Sequence, residues 1–305
     1  MTLAVALLEE HPVARPRGTA TWGSWQVHPW SDPTSLATDE MVLSPMTRQL
    51  LVLSPHEGRS PAHVAASMVA AVRPDLAVRV VAAPFSTAAL MRAVEMVPDR
   101  ARGANAVFAD VMARLGSMTW GAWLPSVAKL TTPAPTLRQH VHSWLRDRAG
   151  FLAVHGEPGW VAKLPVAQLA PDRQLPRVPP RGVVAAAYDC HAFGELPEVA
   201  VATLFSMGLT SRPVRREATA DPTPLWGSAK AVEFVVAWPG AAELSDSSGR
   251  CPICGEPVWA THCAFCRVRA IPGPAVPVTA QPAGAPASAA TPHYVSFSTA
   301  GGATP

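Results

Sequence analysis

Between residues 40 and 238 the hydrophobic positions switch repeatedly between a short continuous run and a helical spacing. Gln49-Leu50-Leu51-Val52-Leu53-Ser54 has the length and apolar density of a buried strand. Ser60 followed by Pro61 then reads as an N-cap and first helical position, and Val64, Met68, Val69 and Val72 recur on one helical side. Val78 to Ala82 predicts a second strand, and Ser86 or Thr87 caps a helix whose apolar side holds Leu90, Val94 and Val97. A further helix near 103–115 aligns Val107, Phe108, Val111, Met112 and Leu115, and one near 136–148 aligns Leu137, Val141, Trp144 and Leu145. The runs at 151–155 and 160–164 flank Gly156-Glu157-Pro158-Gly159 as a hairpin. A last unit reads strand 183–189, helix 197–208, strand 212–218 and strand 229–238.

Strand, helix, strand, helix at these lengths predicts an α/β fold, a mixed-sheet domain with βαβ units over residues 40–238. Residues 1–39 are expected to be an irregular N-terminal segment, 239–248 a linker, 249–270 a small cysteine module, and 271–305 a disordered Pro/Ala-rich tail. The opening Thr2 to Leu8 is apolar, but no basic residue precedes it and Glu9 and Glu10 come directly after, so it makes a poor signal peptide. No window reaches the apolar length of a membrane span, and a soluble, cytoplasmic protein of bacterial type is expected.

Composition narrows the function classes. Hydrophobic residues make up 49% of the 305 and charged ones 15%, enough for a large core, while a net charge of +3 gives no strong field for nucleic acid. Five cysteines in a chain without a secretory signal point away from a disulfide framework. Four of them form two Cys-x-x-Cys pairs, Cys251/Cys254 and Cys263/Cys266, eight residues apart. That is the spacing at which four thiolates close a tetrahedral, structural Zn²⁺ site with no open position for water. Gly255 permits the left-handed turn of a knuckle.

Residues 249–270 resemble the zinc-ribbon family, which implies Cys251, Cys254, Cys263 and Cys266 as ligands, with Arg267 standing where a ribbon often has a second Gly. Residues 49–68 resemble the phosphate-loop region of MinD/ParA-type ATPases: a strand ending at Ser54-Pro55, the loop His56 to Ser60, then a helix. Val183 to Asp189 echoes the second nucleotide motif of that class. Pro61 and Ala62 replace the phosphate-contacting lysine and the Mg²⁺-binding hydroxyl, so the likeness implies a degenerate relative without ATPase chemistry.

Thr21-Trp22-Gly23-Ser24-Trp25 is echoed by Thr119-Trp120-Gly121-Ala122-Trp123 and by Leu225-Trp226-Gly227-Ser228, as buried tryptophans or as an aromatic platform. The expected function is a non-catalytic accessory or adaptor protein that docks protein partners through the α/β body and the zinc ribbon. One alternative is nucleic-acid binding by the ribbon through Arg250, Arg267, Arg269 and Trp259. The other is a nucleotide-binding or other α/β enzyme using His56, Glu57, Asp189, Cys190 or His191 at strand ends.

Overall fold

The first apolar run, Thr2 to Glu9, is the central strand of a sheet. In the computed structural model, residues 2–10, 12, 17–20, 23–55, 58–97, 103–144, 149–156, 159–166, 184–189, 196–217, 220–237 and 247–273 are described. The elements run β1 (Thr2–Glu9), β2 (Arg17–Ala20), β3 (Gly23–Pro29), α1 (Thr34–Ala37), α2 (Glu40–Leu43), β4 (Thr47–Pro55), α3 (Arg59–Val72), β5 (Ala77–Ala83), α4 (Thr87–Glu95) and α5 (Ala104–Ser117). They continue with β6 (Thr119–Leu124), α6 (Leu137–Trp144), β7 (Phe151–His155), β8 (Trp160–Lys163), β9 (Val184–Asp189), α7 (Glu198–Ser206), β10 (Val214–Glu217), α8 (Thr223–Trp226), β11 (Val232–Ala237), β12 (Gly249–Arg250) and β13 (Pro257–Val258).

The first sheet has the order β2-β3-β1-β4-β5, in which β3, β1, β4 and β5 are parallel and β2 is antiparallel to β3. The second has the order β10-β9-β11-β6-β7-β8 and is antiparallel except for β9 beside β10. The chain is therefore an α/β fold with mixed sheets, as the alternating pattern predicts. The described residues of the N-terminal 39 include β1, β2, β3 and α1, where the sequence reading expected an irregular segment. Both faces of β1 are covered, so it reads as an unbroken apolar run without the alternation that marks a half-exposed strand. Leu3, Val5 and Leu7 face one way and Ala4, Ala6 and Leu8 the other, all buried.

Three apolar clusters set the layers. α1, α2 and α3 cover one face of the first sheet, and α7 covers the outer face of the second. Between the sheets lie α4 and α5, whose Leu90, Val94, Val107 and Val111 share one cluster with Val5 and Leu53 of the first sheet and Trp120 and Val235 of the second. α4 touches β1 and β4 on one side and β11 on the other, and its residues 87–94 are all buried. A helix buried on every side suits that central position, with its Arg92 paired to Glu95.

The helix starts obey local chemistry. Ser86 accepts a hydrogen bond from Ala89 N and caps α4 as its sequence predicts. α3 begins two residues before its expected start, at Arg59 after Gly58, and buries Ala62, Ala65 and Val69, leaving Val64 and Val72 exposed. Small alanines let the helix approach the sheet closely, and Val64 and Val72 are turned outward. In the middle of the second sheet, Gly121 is required by close approach: a Cβ there would lie 2.2 Å from Ala153 O and 2.7 Å from the Phe234 ring. Gly121→Ala is expected to cost about 2 kcal/mol of stability by overpacking, measurable as a lowered urea midpoint at unchanged slope.

Candidate functional site

The parallel strands β3, β1 and β4 end together, and the residues at and just beyond those ends line a cleft. The chain leaves β1 toward β3 on one side, and the helical connection after β3 carries it to β4 on the other side of β1. Such a reversal leaves a crevice at the carboxyl ends of the strands, where open α/β sheets hold their ligands. Here Glu9 and Glu10 end β1, Trp30 comes directly after β3, Pro55 ends β4, and Pro84 to Thr87 lead from β5 into α4. The second sheet closes the other side with Trp120, His155 and Glu233, joined by Thr131, Thr132, Asp221 and Leu225. The space enclosed is about 460 Å³, within the range of small-molecule sites.

The walls are aromatic. Trp120 stacks on His155 with ring centroids 4.0 Å apart and meets Trp226 edge-on at 5.9 Å, while Phe85 lies 6.2 Å from Trp120. His155 Nε2 donates to Thr132 O at 3.1 Å. A carbonyl can only accept, so that nitrogen carries the proton. Of the three Trp-Gly echoes, Trp25 is buried in the core, Trp226 is wholly buried, and Trp120 is both buried and a wall of the cleft. Trp22 lies outside the described residues.

The polar groups are carboxyls. The Thr87 hydroxyl donates to the Glu9 carboxylate, which also accepts from Glu10 N at 3.0 Å, so Glu9 sits against the first turn of α4, where a negative charge is favoured. Glu233 is half-buried and accepts from Trp226 Nε1 at 2.6 Å. Burial pushes its pKa up to about 7, against the lowering effect of the Trp226 hydrogen bond. Glu10 and Asp221 complete the set, and among the described residues lining the cleft there is no Lys or Arg.

The four cysteines of the two pairs meet elsewhere, at the start of α5. Their sulfur atoms all lie within 4.8 Å of one another, close enough to hold a metal ion. Gly255 has φ 73° and Arg267 φ 58°, so the second knuckle makes the same left-handed turn as the first, but with a side chain in place of Gly. The segment is not a free-standing ribbon. Cys251, Val258, Cys263 and Phe265 belong to the cluster that also holds Leu90 and Val107. Asn105 in the first turn of α5 donates from Nδ2 to Cys263 Sγ at 3.3 Å and accepts from Ala264 N at 3.1 Å. Glu256 in turn accepts from Asn105 N at 3.1 Å.

The thiols perturb one another. Burial raises Cys251, but hydrogen bonds from the N–H groups of Cys254 and Ile253 and from neighbouring thiols outweigh it and bring the pKa to about 7. Burial pushes Cys254 up to about 11 and Cys266 higher still. Four thiolates in so small a space repel, and a cation among them removes that repulsion.

Other candidates separate. His56, Glu57, Cys190 and His191 lie outside the described residues. Asp189 ends β9 in the second sheet, whereas the loop after β4 belongs to the first. A MinD/ParA-type site needs those two strands side by side in one sheet, so that resemblance is withdrawn. Gly58 packs closely against Trp30: a Cβ there would meet Ser54 Oγ at 2.0 Å and the Trp30 ring at 2.3 Å. Of the arginines proposed for nucleic acid, Arg250 is turned onto its own knuckle, donating to Gly255 O at 3.0 Å. The cleft itself has no signature in the sequence because Glu9, Phe85, Trp120 and Glu233 are far apart along the chain.

No protein-family model and no curated protein matches the sequence. Solved structures do match in chain course. The fatty acid kinase B3 protein of Streptococcus pneumoniae, loaded with linoleic acid, is 12% identical, with 78% of this chain and 100% of that one covered and a TM-score of 0.49. A DegV-family protein of Eubacterium eligens, loaded with heptadecanoic acid, is 9% identical over 78% and 100%, with a TM-score of 0.47. A DegV-family protein of Corynebacterium glutamicum is 16% identical over 78% and 97%, with a TM-score of 0.45. Among the described residues no helix is long and apolar enough to cross a membrane. The cysteine segment is packed into the α/β body and is no free-standing ribbon, and the structure offers a ligand-sized cleft between its sheets; the zinc-ribbon resemblance, the protein-adaptor reading and the nucleic-acid reading are corrected on that ground.

Proposed function

We propose that this chain binds a lipid-like small molecule in the cleft between its two sheets. The observation that carries the reading is the cleft's division of labour: Trp30, Phe85, Trp120 and Leu225 offer apolar surface, and Glu9, Thr87, His155 and Glu233 offer polar groups at the strand ends. An amphiphile places its chain on the first set and its head on the second. With carboxyls and no basic side chain in the described lining, the favoured head gives hydrogen bonds: a hydroxyl or an amide.

Glu233 makes the choice pH-dependent. Above about pH 7 its carboxylate repels an anionic head and accepts from a hydroxyl; below it, the neutral acid does neither strongly and can donate instead. Linoleic acid and linoleyl alcohol are the two probes, titrated by calorimetry at pH 6 and pH 8. The alcohol is expected to bind alike at both, and the acid about tenfold more weakly at pH 8, a difference of about 1.4 kcal/mol. Glu233→Gln keeps the acceptor for Trp226 and is expected to abolish the difference. Failure of both probes to bind at either pH would remove the reading.

The four cysteines are proposed as a structural Zn²⁺ site, with Cys251, Cys254, Cys263 and Cys266 as ligands. A tetrahedron with metal–sulfur bonds of about 2.3 Å has edges of about 3.8 Å, and Cys254 and Cys263 already stand 3.9 Å apart. Four thiolates fill the shell and leave no position for substrate, so the ion's part is to fix the start of α5. Asn105 and Glu256 orient the knuckles from outside the shell.

A further inference from the structure

α6 is amphipathic the wrong way round for a packed helix. Its polar side faces the body: Gln139 Nε2 donates to Val161 O at 2.8 Å, Ser143 Oγ accepts from Val127 N at 2.9 Å, and His142 buries its Nδ1. Its apolar side faces out, with Leu137 81%, Val141 47% and Trp144 76% exposed at i, i+4 and i+7. None of its residues is buried. A helix held by its polar face leaves the opposite stripe uncovered among the described residues, open to a docking surface.

Charge and position say what that is. From 111 to 146 the sequence contains no Asp or Glu, while Lys129, Arg138, His140 and His142 lie on or just before α6. An aromatic and aliphatic stripe in a stretch whose formal charges are all basic, Lys129 and Arg138 among them, is complementary to an anionic bilayer surface. The helix also follows the cleft closely along the chain: Thr131 and Thr132 line the cleft, and α6 starts five residues after Thr132. We propose that α6 docks this protein on anionic lipid membranes by inserting Leu137, Val141 and Trp144 into the interface, which, given a lipid-like ligand, brings the cleft rim to the source of that ligand.

The test is co-sedimentation of the full chain with vesicles of phosphatidylcholine alone and of phosphatidylcholine with about 30% phosphatidylglycerol. Wild type is expected to bind the anionic vesicles at least about tenfold better than the neutral ones. Leu137→Ser/Trp144→Ser is expected to lose about tenfold or more in partition, and Arg138→Glu to lose the preference for anionic vesicles. Thermal melting should leave both variants folded, because the substituted side chains are exposed. Linoleyl alcohol titration in solution separates the two readings: docking lost with titration intact supports the role of α6, and titration lost with docking intact strikes the cleft alone. Wild type that ignores anionic vesicles, or a double variant that binds them as well, overturns the proposal. So does a wild-type dimer in sedimentation analysis that the double variant dissociates, since a second copy would then cover the stripe.

Discussion

Stripping the metal from the cysteine cluster is expected to lower the melting temperature of the whole chain by about 10 °C or more. Structural Zn²⁺ binding is worth of order 10 kcal/mol in free small modules, and recovering even half of that would shift a chain of this size by such an amount. The effect should not be confined to the cysteine segment. Cys251, Cys263, Val258 and Phe265 share a core with α4 and α5, and Asn105 hangs the first turn of α5 from Cys263 and Ala264. A single cooperative transition at lower temperature is therefore expected for chelator-treated protein and for Cys263→Ser, monitored by circular dichroism with metal content measured alongside. A two-step melt in which only a small fraction of the signal moves would mean that the cluster is an appendage.

The second large effect is at Trp120. Its ring is shared between the fold and the cleft, stacked on His155, edge-on to Trp226 and exposed on one side to the ligand space. Trp120→Ala is expected to cost about 3–5 kcal/mol of stability and to weaken linoleyl alcohol about a hundredfold, as loss of a central aromatic anchor does. Trp120→Phe refills most of the volume. It should restore most of the stability and only part of the affinity, and that split, read by urea unfolding beside calorimetry, separates a wall of the site from a mere core residue.

The elements that the sequence made legible are those with a local signal of their own. The strand at 49–54, the helix at 103–115, the hairpin across 156–159 and the Ser86 cap all correspond to observed elements, because each is marked by a short bounded apolar run, a helical spacing, a turn sequence or a capping hydroxyl. β1 was hidden by its own burial: Leu3 to Leu8 are apolar on both faces, a pattern shared by leaders and by central parallel strands. α6 misled in the opposite sense, since its helical stripe is real but turned outward. Periodicity finds a stripe and does not say what covers it.

The two sites differ in the same way. The cysteine cluster is written in 16 consecutive residues, Cys251 to Cys266, so its four sulfurs could be grouped from spacing alone. The cleft joins Glu9, Trp30, Phe85, Trp120, His155 and Glu233 from six elements or their ends across two sheets. No local pattern marks such a set. One signal was present in the Trp-Gly echo at Trp120, but burial alone accounts equally for its partners at Trp25 and Trp226.

Native mass spectrometry of the full chain, purified without added lipid and then incubated with linoleyl alcohol, tests the cleft most directly. The account predicts one bound molecule per chain, an adduct of a few hundred daltons that Trp120→Ala loses and Trp120→Phe partly keeps. A chain that carries no adduct before or after incubation, or one whose adduct is indifferent to both substitutions, would contradict it.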